Sequence, residues 1–223
     1  MPRVFRLAVC AVVIVSATSV VRAEFTPSRL LEIHYINVGQ GGGTLIIGPD
    51  GTRLLFDFGN IGRGAAIVEY LRNVVGLAPA DGIHFAIVSH RDVDHYGGYG
   101  DVIEAGYDVL TANFDSGSPK PATAQMDRVW LDPAANTTAG AVRAIPVGLR
   151  IPLGDGAEAI VIAANGKIHR QRADSLPFAR DENDRSISIY VKYKDFDYLL
   201  DGDLGSGPEG ADCSDHQTTQ KNF

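Results

Sequence analysis

The segment Ser89-His90-Arg91-Asp92-Val93-Asp94-His95 packs two histidines and two aspartates into the six positions from His90 to His95. Imidazole nitrogen and carboxylate oxygen together suit zinc, manganese or iron, and each added oxygen shifts the preference towards harder ions. Directly before the segment, His84 to Ser89 is a short apolar run bounded by turn residues, which reads as a buried strand. A strand end delivers side chains into a cleft from a rigid base, and Gly97-Gly98 then lets the backbone turn sharply, so that adjacent Asp94 and His95 can address different ions. The competing description is a polar loop with exposed histidines. It is disfavoured because several ionisable groups at a buried edge repel one another or go unsatisfied.

The elements that position this segment follow from periodicity. Leu30 to Val38 reads as a strand that breaks at Gly39-Gln40-Gly41-Gly42-Gly43 and resumes at Thr44 to Ile47; Arg53 to Phe58 closes a meander after the Pro49-Asp50-Gly51 turn. Ala65 to Val75 spaces Ile67, Val68, Leu71, Val74 and Val75 as one amphipathic helix. Beyond the histidine segment, Tyr99 to Ala105 reads as a short helix and Tyr107 to Phe114 as a strand. Asp115 to Asn136 is expected to be an exposed insertion loop carrying Trp130, the single tryptophan. Arg150 to Leu153, Glu158 to Ala163, Ser186 to Tyr193 and Tyr198 to Leu200 read as further strands, the last ending at Asp201-Gly202-Asp203. There is no fixed-period repeat and no sign of a second domain.

Composition bounds the answer from the other side. Met1 to Ala23 carries early arginines, an apolar run from Leu7 to Val15 and a Val21-Arg22-Ala23 cleavage pattern, so residues 1–23 are expected to be a signal peptide, and residues 24–223 one domain. The run is far shorter than a spanning helix of about 20 residues, so no stable membrane association is expected after cleavage. Removing Arg3, Arg6 and Arg22 takes the net charge from −7 to −10, which opposes non-specific binding to a phosphate backbone unless metals or residues such as Arg180 and Arg185 offset it locally. A hydrophobic content of 45% excludes a disordered chain, and with Cys10 removed Cys213 has no partner for an intramolecular disulfide. The expected compartment is periplasmic or secreted.

His-x-Asp-x-Asp-His after an apolar strand resembles the metallo-β-lactamase fold superfamily. With Asp92 where the commoner pattern has histidine, it is similar to the hydrolase-like domain of bacterial competence proteins of the ComEC/Rec2 group. Val38-Gly39-Gln40-Gly41 resembles that group's opening signature, Phe56-Asp57-Phe58-Gly59 its I-D-x-G turn, and Asn183 to Ser186 with Leu199-Leu200-Asp201-Gly202-Asp203 its N-x-x-S and L-x-G-D elements. The resemblance implies an α/β (α+β) fold, an αββα sandwich, with two divalent ions at one edge, zinc first and manganese as the alternative. It implies that His90 and Asp92 hold one ion, Asp94 and His95 the other, and that Asp203 bridges them. Asp94 is also taken as the catalytic carboxylate, and Asp57, Asn183 and Ser186 as residues that orient the ligands. Two ions that share a water lower its pKa, so hydrolysis is implied, of a small-molecule or phosphodiester substrate. Nucleic acid enters only by analogy with the competence group, and a β-lactam or lactone is a third option that Asp92 points away from.

Two departures from the pattern accompany it. The superfamily's further metal-binding histidine has only His169 as a candidate, read here as a surface residue. The group's terminal His-His-Gly-Ser segment is absent, and His216 lies in an unrelated context, so the sandwich is expected to be incomplete in its second half and the chain truncated. The alternative to an exported hydrolase is therefore a non-catalytic remnant with at most a partial metal site. Elsewhere, Gly39 to Gly43 is not a dinucleotide fingerprint, Asn136-Thr137-Thr138 is a sequon by pattern only, and His34 reads as a satisfied strand residue. Tyr96 and Tyr99 serve either a pocket wall or packing.

Overall fold

The computed structural model describes residues 25–169 and 181–205. The leader reading at 1–23, Arg180, Cys213, His216 and the C-terminal stretch lie outside the described residues. The first sheet has six strands in sequence order: β1 (Glu32–Tyr35), β2 (Thr44–Ile47), β3 (Arg53–Phe56), β4 (Ile83–Ile87), β5 (Val109–Asp115) and β6 (Arg143–Ala144). β1, β2 and β3 form the antiparallel meander, and β3 to β6 run parallel. The second sheet is antiparallel, with β7 (Arg150–Gly154), β8 (Ala157–Ala164), β10 (Ser188–Tyr193) and β11 (Phe196–Leu200) in the order β11-β10-β8-β7, and with β9 (Lys167–Ile168) on β8.

Both faces of the first sheet are covered, which is why its strands read as continuous apolar runs. On β2, Leu45 and Ile47 face a helix-side core while Ile46 faces the second sheet; on β3, Leu55 takes the first side and Leu54 and Phe56 the second. The inter-sheet core continues through Ile151, Leu153, Val161, Ile189 and Val191. The helix side is closed by α1 (Gly64–Tyr70), which continues in wider turns through Leu71–Val75, and by α3 (Tyr99–Glu104), preceded by the single turn α2 (Val93–Tyr96). The fold is thus mixed α/β with two sheets and few helices, as expected. Three of the four expected layers are present among the described residues; on the outer face of the second sheet Leu199 is exposed and Tyr190 half-buried. No helix among the described residues is long and apolar enough to cross a membrane.

One expectation is overturned. The stretch read as an exposed loop is largely helical: α4 (Ala124–Met126), the wide turns of Asp127–Leu131 and α5 (Asp132–Ala135). Trp130 is 1% exposed rather than at the surface. Met126, Trp130 and Ala134 recur every fourth residue and form one buried stripe, and the Thr123 hydroxyl caps the start by accepting from the Met126 amide at 3.2 Å. The intervening Asp127, Arg128 and Asp132 face outwards and hide the period. Trp130 stacks on Tyr96 with ring centroids 5.4 Å apart and so supports α2 from below.

Candidate metal centre

The site forms where the two sheets meet. β3 ends at Phe56, and Asp57 turns the chain with a φ of 62°, a left-handed conformation that costs a non-glycine residue about 1–3 kcal/mol. This also explains why the third strand stops short of the expected Phe58. The Asp57 amide donates to the Ile87 carbonyl at 2.8 Å, so the turn is tied to the end of β4. From there Val88-Ser89-His90 leads out of the sheet. The Ser89 carbonyl accepts from the Ile187 amide at 2.9 Å, which connects the motif to the approach to β10.

The Asp57 carboxylate organises the buried floor. One oxygen accepts from the Ser89 amide at 2.7 Å; the other accepts from the Ser89 hydroxyl at 2.8 Å and from His95 Nδ1 at 2.8 Å. Its proton committed to Asp57, the Ser89 hydroxyl is left to accept from His90 Nδ1 at 3.0 Å. Ser186 stands 3.3 Å from the same His90 nitrogen and accepts from the Asp203 amide at 3.3 Å. Both histidines therefore present Nε2 to the site. Those two nitrogens are buried and have no hydrogen-bond partner among the described residues, in side chains that are 0% and 2% exposed. Buried polar atoms are paired as a rule, so two orphaned nitrogens side by side point to a ligand that both would hold.

Asp203 completes the set. Donor atoms of His90, His95 and Asp203 all lie within 4.8 Å of one another, and Asp203 Oδ2 is 3.3 Å from His95 Nε2. Gly202 makes this possible: its φ is +57°, and a Cβ there would lie 2.7 Å from the Ser89 Cβ. Gly41 does the same on the opposite side, where a Cβ would fall 1.8 Å from the Asp94 carbonyl oxygen. These two glycines belong to the L-x-G-D and V-G-Q-G segments.

The remaining carboxylates sit on the rim. Asp92 Oδ2 is 3.5 Å from His90 Nε2, and its other oxygen accepts from Lys120 Nζ at 2.5 Å. Asp94 Oδ1 is 4.0 Å from His95 Nε2, and its other oxygen accepts from Gln40 at 3.3 Å. Each is thus near the histidine it was expected to accompany, but engaged elsewhere. Of the orienting residues, Asp57 and Ser186 touch the histidines, while Asn183 engages the site only through its carbonyl, which accepts from the Ser186 amide at 2.9 Å. His169 is outside the cluster, its amide bonded to the Ile162 carbonyl. His34 is satisfied by Tyr70 and Glu32. Tyr99 packs on Phe58 and donates to Asn113 at 2.6 Å, while Tyr96 packs on Trp130 and also borders a hollow of about 390 Å³ shared with Arg91, Asp92, Asp94 and Lys120.

Charge follows the same geometry. Burial works against the His95 imidazolium, but the hydrogen bond and charge of Asp57, with Asp203 and Asp94 behind it, raise His95 to about 9. His90 is lowered, first by burial and then by the His95 charge. An ion held by the two Nε2 atoms needs both of them deprotonated, so metal binding competes with protons at this site.

Sequence reasoning missed Ser89 as an orienter, and Lys120 and Glu182 altogether. Glu182 accepts from the Arg91 amide at 2.8 Å and from the Ser118 hydroxyl at 2.7 Å. Ser89 was legible from its place beside His90; Lys120 and Glu182 approach from 29 and 91 positions away from Arg91 and carry no local signal.

No family model matches the chain, and no curated protein matches it. Solved structures similar to it are metallo-β-lactamase fold proteins. A metallo-β-lactamase from Cronobacter sakazakii is 19% identical, over 71% of this chain and 56% of that one, with a TM-score of 0.42. The metallo-β-lactamase fold protein YhfI from Bacillus subtilis is 14% identical, over 71% and 54%, with a TM-score of 0.41. A β-lactamase from Chitinophaga pinensis is 15% identical, over 78% and 60%, with a TM-score of 0.45. The chain spans between half and two thirds of the length of these proteins.

Proposed function

We propose that this chain is a metal-dependent hydrolase of the metallo-β-lactamase superfamily, exported through its N-terminal leader to the periplasm or medium, and acting on a phosphodiester or another ester. The observation that carries the reading is the pair of buried Nε2 atoms of His90 and His95, without a hydrogen-bond partner among the described residues, facing Asp203. Two imidazoles and a carboxylate suit zinc best; manganese gains as Asp92 and Asp94 add oxygen. A second ion would draw on those two aspartates. The motif order, from Val38-Gly39-Gln40-Gly41 to Gly202-Asp203, supports kinship with the competence group, which makes nucleic acid a substrate by analogy alone.

The bound ion would supply a Lewis acid and a water of lowered pKa. The chain's own residues do the rest. Asp57 holds the His95 Nδ1 proton and so keeps Nε2 aimed into the site. Ser89 and Ser186 fix the His90 ring, and Ser186 also anchors the turn that carries Asp203. Asp94 stands at the rim with one oxygen 4.0 Å from His95 Nε2, and would be the carboxylate to take a proton from a water held in the site and release it to solvent. The hollow beside Asp92, Asp94 and Tyr96 receives the substrate.

Full-length chain stripped with a chelator is expected to rebind zinc or manganese and to hydrolyse bis-p-nitrophenyl phosphate only when loaded. Failure to bind either ion overturns the reading. Binding without turnover of this or any ester tested leaves the second reading, a non-catalytic domain with a partial site, which the engagement of Asp92 by Lys120 favours.

A further inference from the structure

We infer that Lys120 is a resident cation on Asp92, so that the site loads one divalent ion at His90, His95 and Asp203 first and a second, at Asp92, only more weakly, against the lysine's charge. This rests on the metal-dependent reading above. Lys120 Nζ donates to Asp92 Oδ1 at 2.5 Å and to the Arg91 carbonyl at 2.7 Å. In return Arg91 Nη1 donates to the Lys120 carbonyl at 2.6 Å, so the lysine is held at both ends. Arg91 is itself anchored, with Nε and Nη2 donating to Asp115 Oδ2 at 2.9 and 2.6 Å, and Asp115 is 3% exposed in its side chain. The ammonium is therefore placed by a partly buried frame and is not a free surface charge.

Its position decides the order of loading. Asp92 is the carboxylate 3.5 Å from His90 Nε2, outside the His90, His95 and Asp203 cluster, and one of its oxygens already faces a positive charge. A second divalent ion there would meet Lys120 across a single carboxylate, and the two cations repel. Asp203, by contrast, has no lysine or arginine ion pair among the described residues, and faces two histidine Nε2 atoms that make no hydrogen bond there, His95's at 3.3 Å. The Lys120–Asp92 pair is 40% and 37% exposed, so it weakens the second step without blocking it.

Calorimetric titration of the chelator-stripped, full-length chain with zinc at low salt tests this. The wild type is expected to bind one ion tightly and a second more weakly. Lys120→Met should tighten the second step by roughly fivefold, the scale of one partly exposed ion pair, and leave the first within about twofold. High salt should shrink the difference between the two proteins. Asp92→Asn should remove the second step and keep the first, which provides a readout even if Lys120→Met fails to fold. A wild type limited to one ion, with a second appearing in Lys120→Met, also supports the proposal. Two ions of equal affinity in the wild type, or a gap that Lys120→Met leaves unchanged, would overturn it while the metal-dependent reading stands. No binding at all overturns both.

Discussion

The floor of the site and its rim both carry aspartates, and those aspartates behave differently. On the floor, His90, His95, Asp57, Ser89 and Ser186 are buried, and among the described residues their side-chain polar atoms, the two Nε2 atoms excepted, have hydrogen-bond partners inside the protein. On the rim, Asp92, Asp94 and Asp203 are between 18% and 46% exposed and answer to Lys120, Gln40 and solvent. The difference teaches that geometry is enforced where desolvation makes an unpaired group costly, and is adjustable where water can substitute.

The sharpest way to break this comparison is Asp57→Ala. It leaves the Ser89 amide and hydroxyl and His95 Nδ1 without their shared acceptor, so we expect a loss of about 3 kcal/mol in stability and a 10- to 100-fold drop in metal affinity, of the order seen for such partners. Denaturant unfolding and metal titration measure both, and an effect no larger than that of Asp94→Ala would erase the distinction between floor and rim. Gly202→Ala tests their junction. A Cβ 2.7 Å from Ser89 at a φ of +57° should cost about 1–3 kcal/mol and push Asp203 away from the histidines, visible as weaker metal binding beside a lowered Tm. On the rim, Asp94→Ala is expected to lower metal content only partly, yet more than His169→Ala, which lies outside the cluster; elemental analysis of the two variants compares them, and equal losses would reverse the ranking.

The smallest effect concerns His84, at the start of β4 and outside the candidate metal centre. His84 Nδ1 accepts from the Arg53 amide at 3.1 Å, and its pKa is lowered by burial, then by the Arg53 charge, against a raising contribution from Asp50. A lowered folded-state pKa means that the unfolded chain takes up the proton first. Stability from this site is therefore complete above about pH 6.5 and falls as pH drops below it. His84→Gln should flatten the decline below about pH 6.5 in pH-dependent unfolding. An unchanged slope would show that His90, whose pKa is also lowered, rather than His84, dominates the acid limb.

Much of this was legible in order of residues. The strands at 44–47 and 53–56 and the helix from 64 announce themselves because each buries a continuous or periodic apolar face. Trp130 was misplaced because its helix is short, rich in Asp and Pro and wound in wide turns, so only Met126, Trp130 and Ala134 carry the period. β6 and β9 are two-residue pairings whose existence depends on a neighbouring strand, and no local pattern encodes them.

By itself the sequence determined which side chains could ligate and in what order the elements arrive. Metal-ligand density at a strand end, and glycines where the chain must turn, are local properties. Only the tertiary structure decided that His90, His95 and Asp203 share one point, that Asp57 supports both histidines' setting through Ser89, and that Lys120 claims Asp92. Those contacts join residues tens of positions apart. Their energies come from burial and pairing in space, which spacing along the chain does not record.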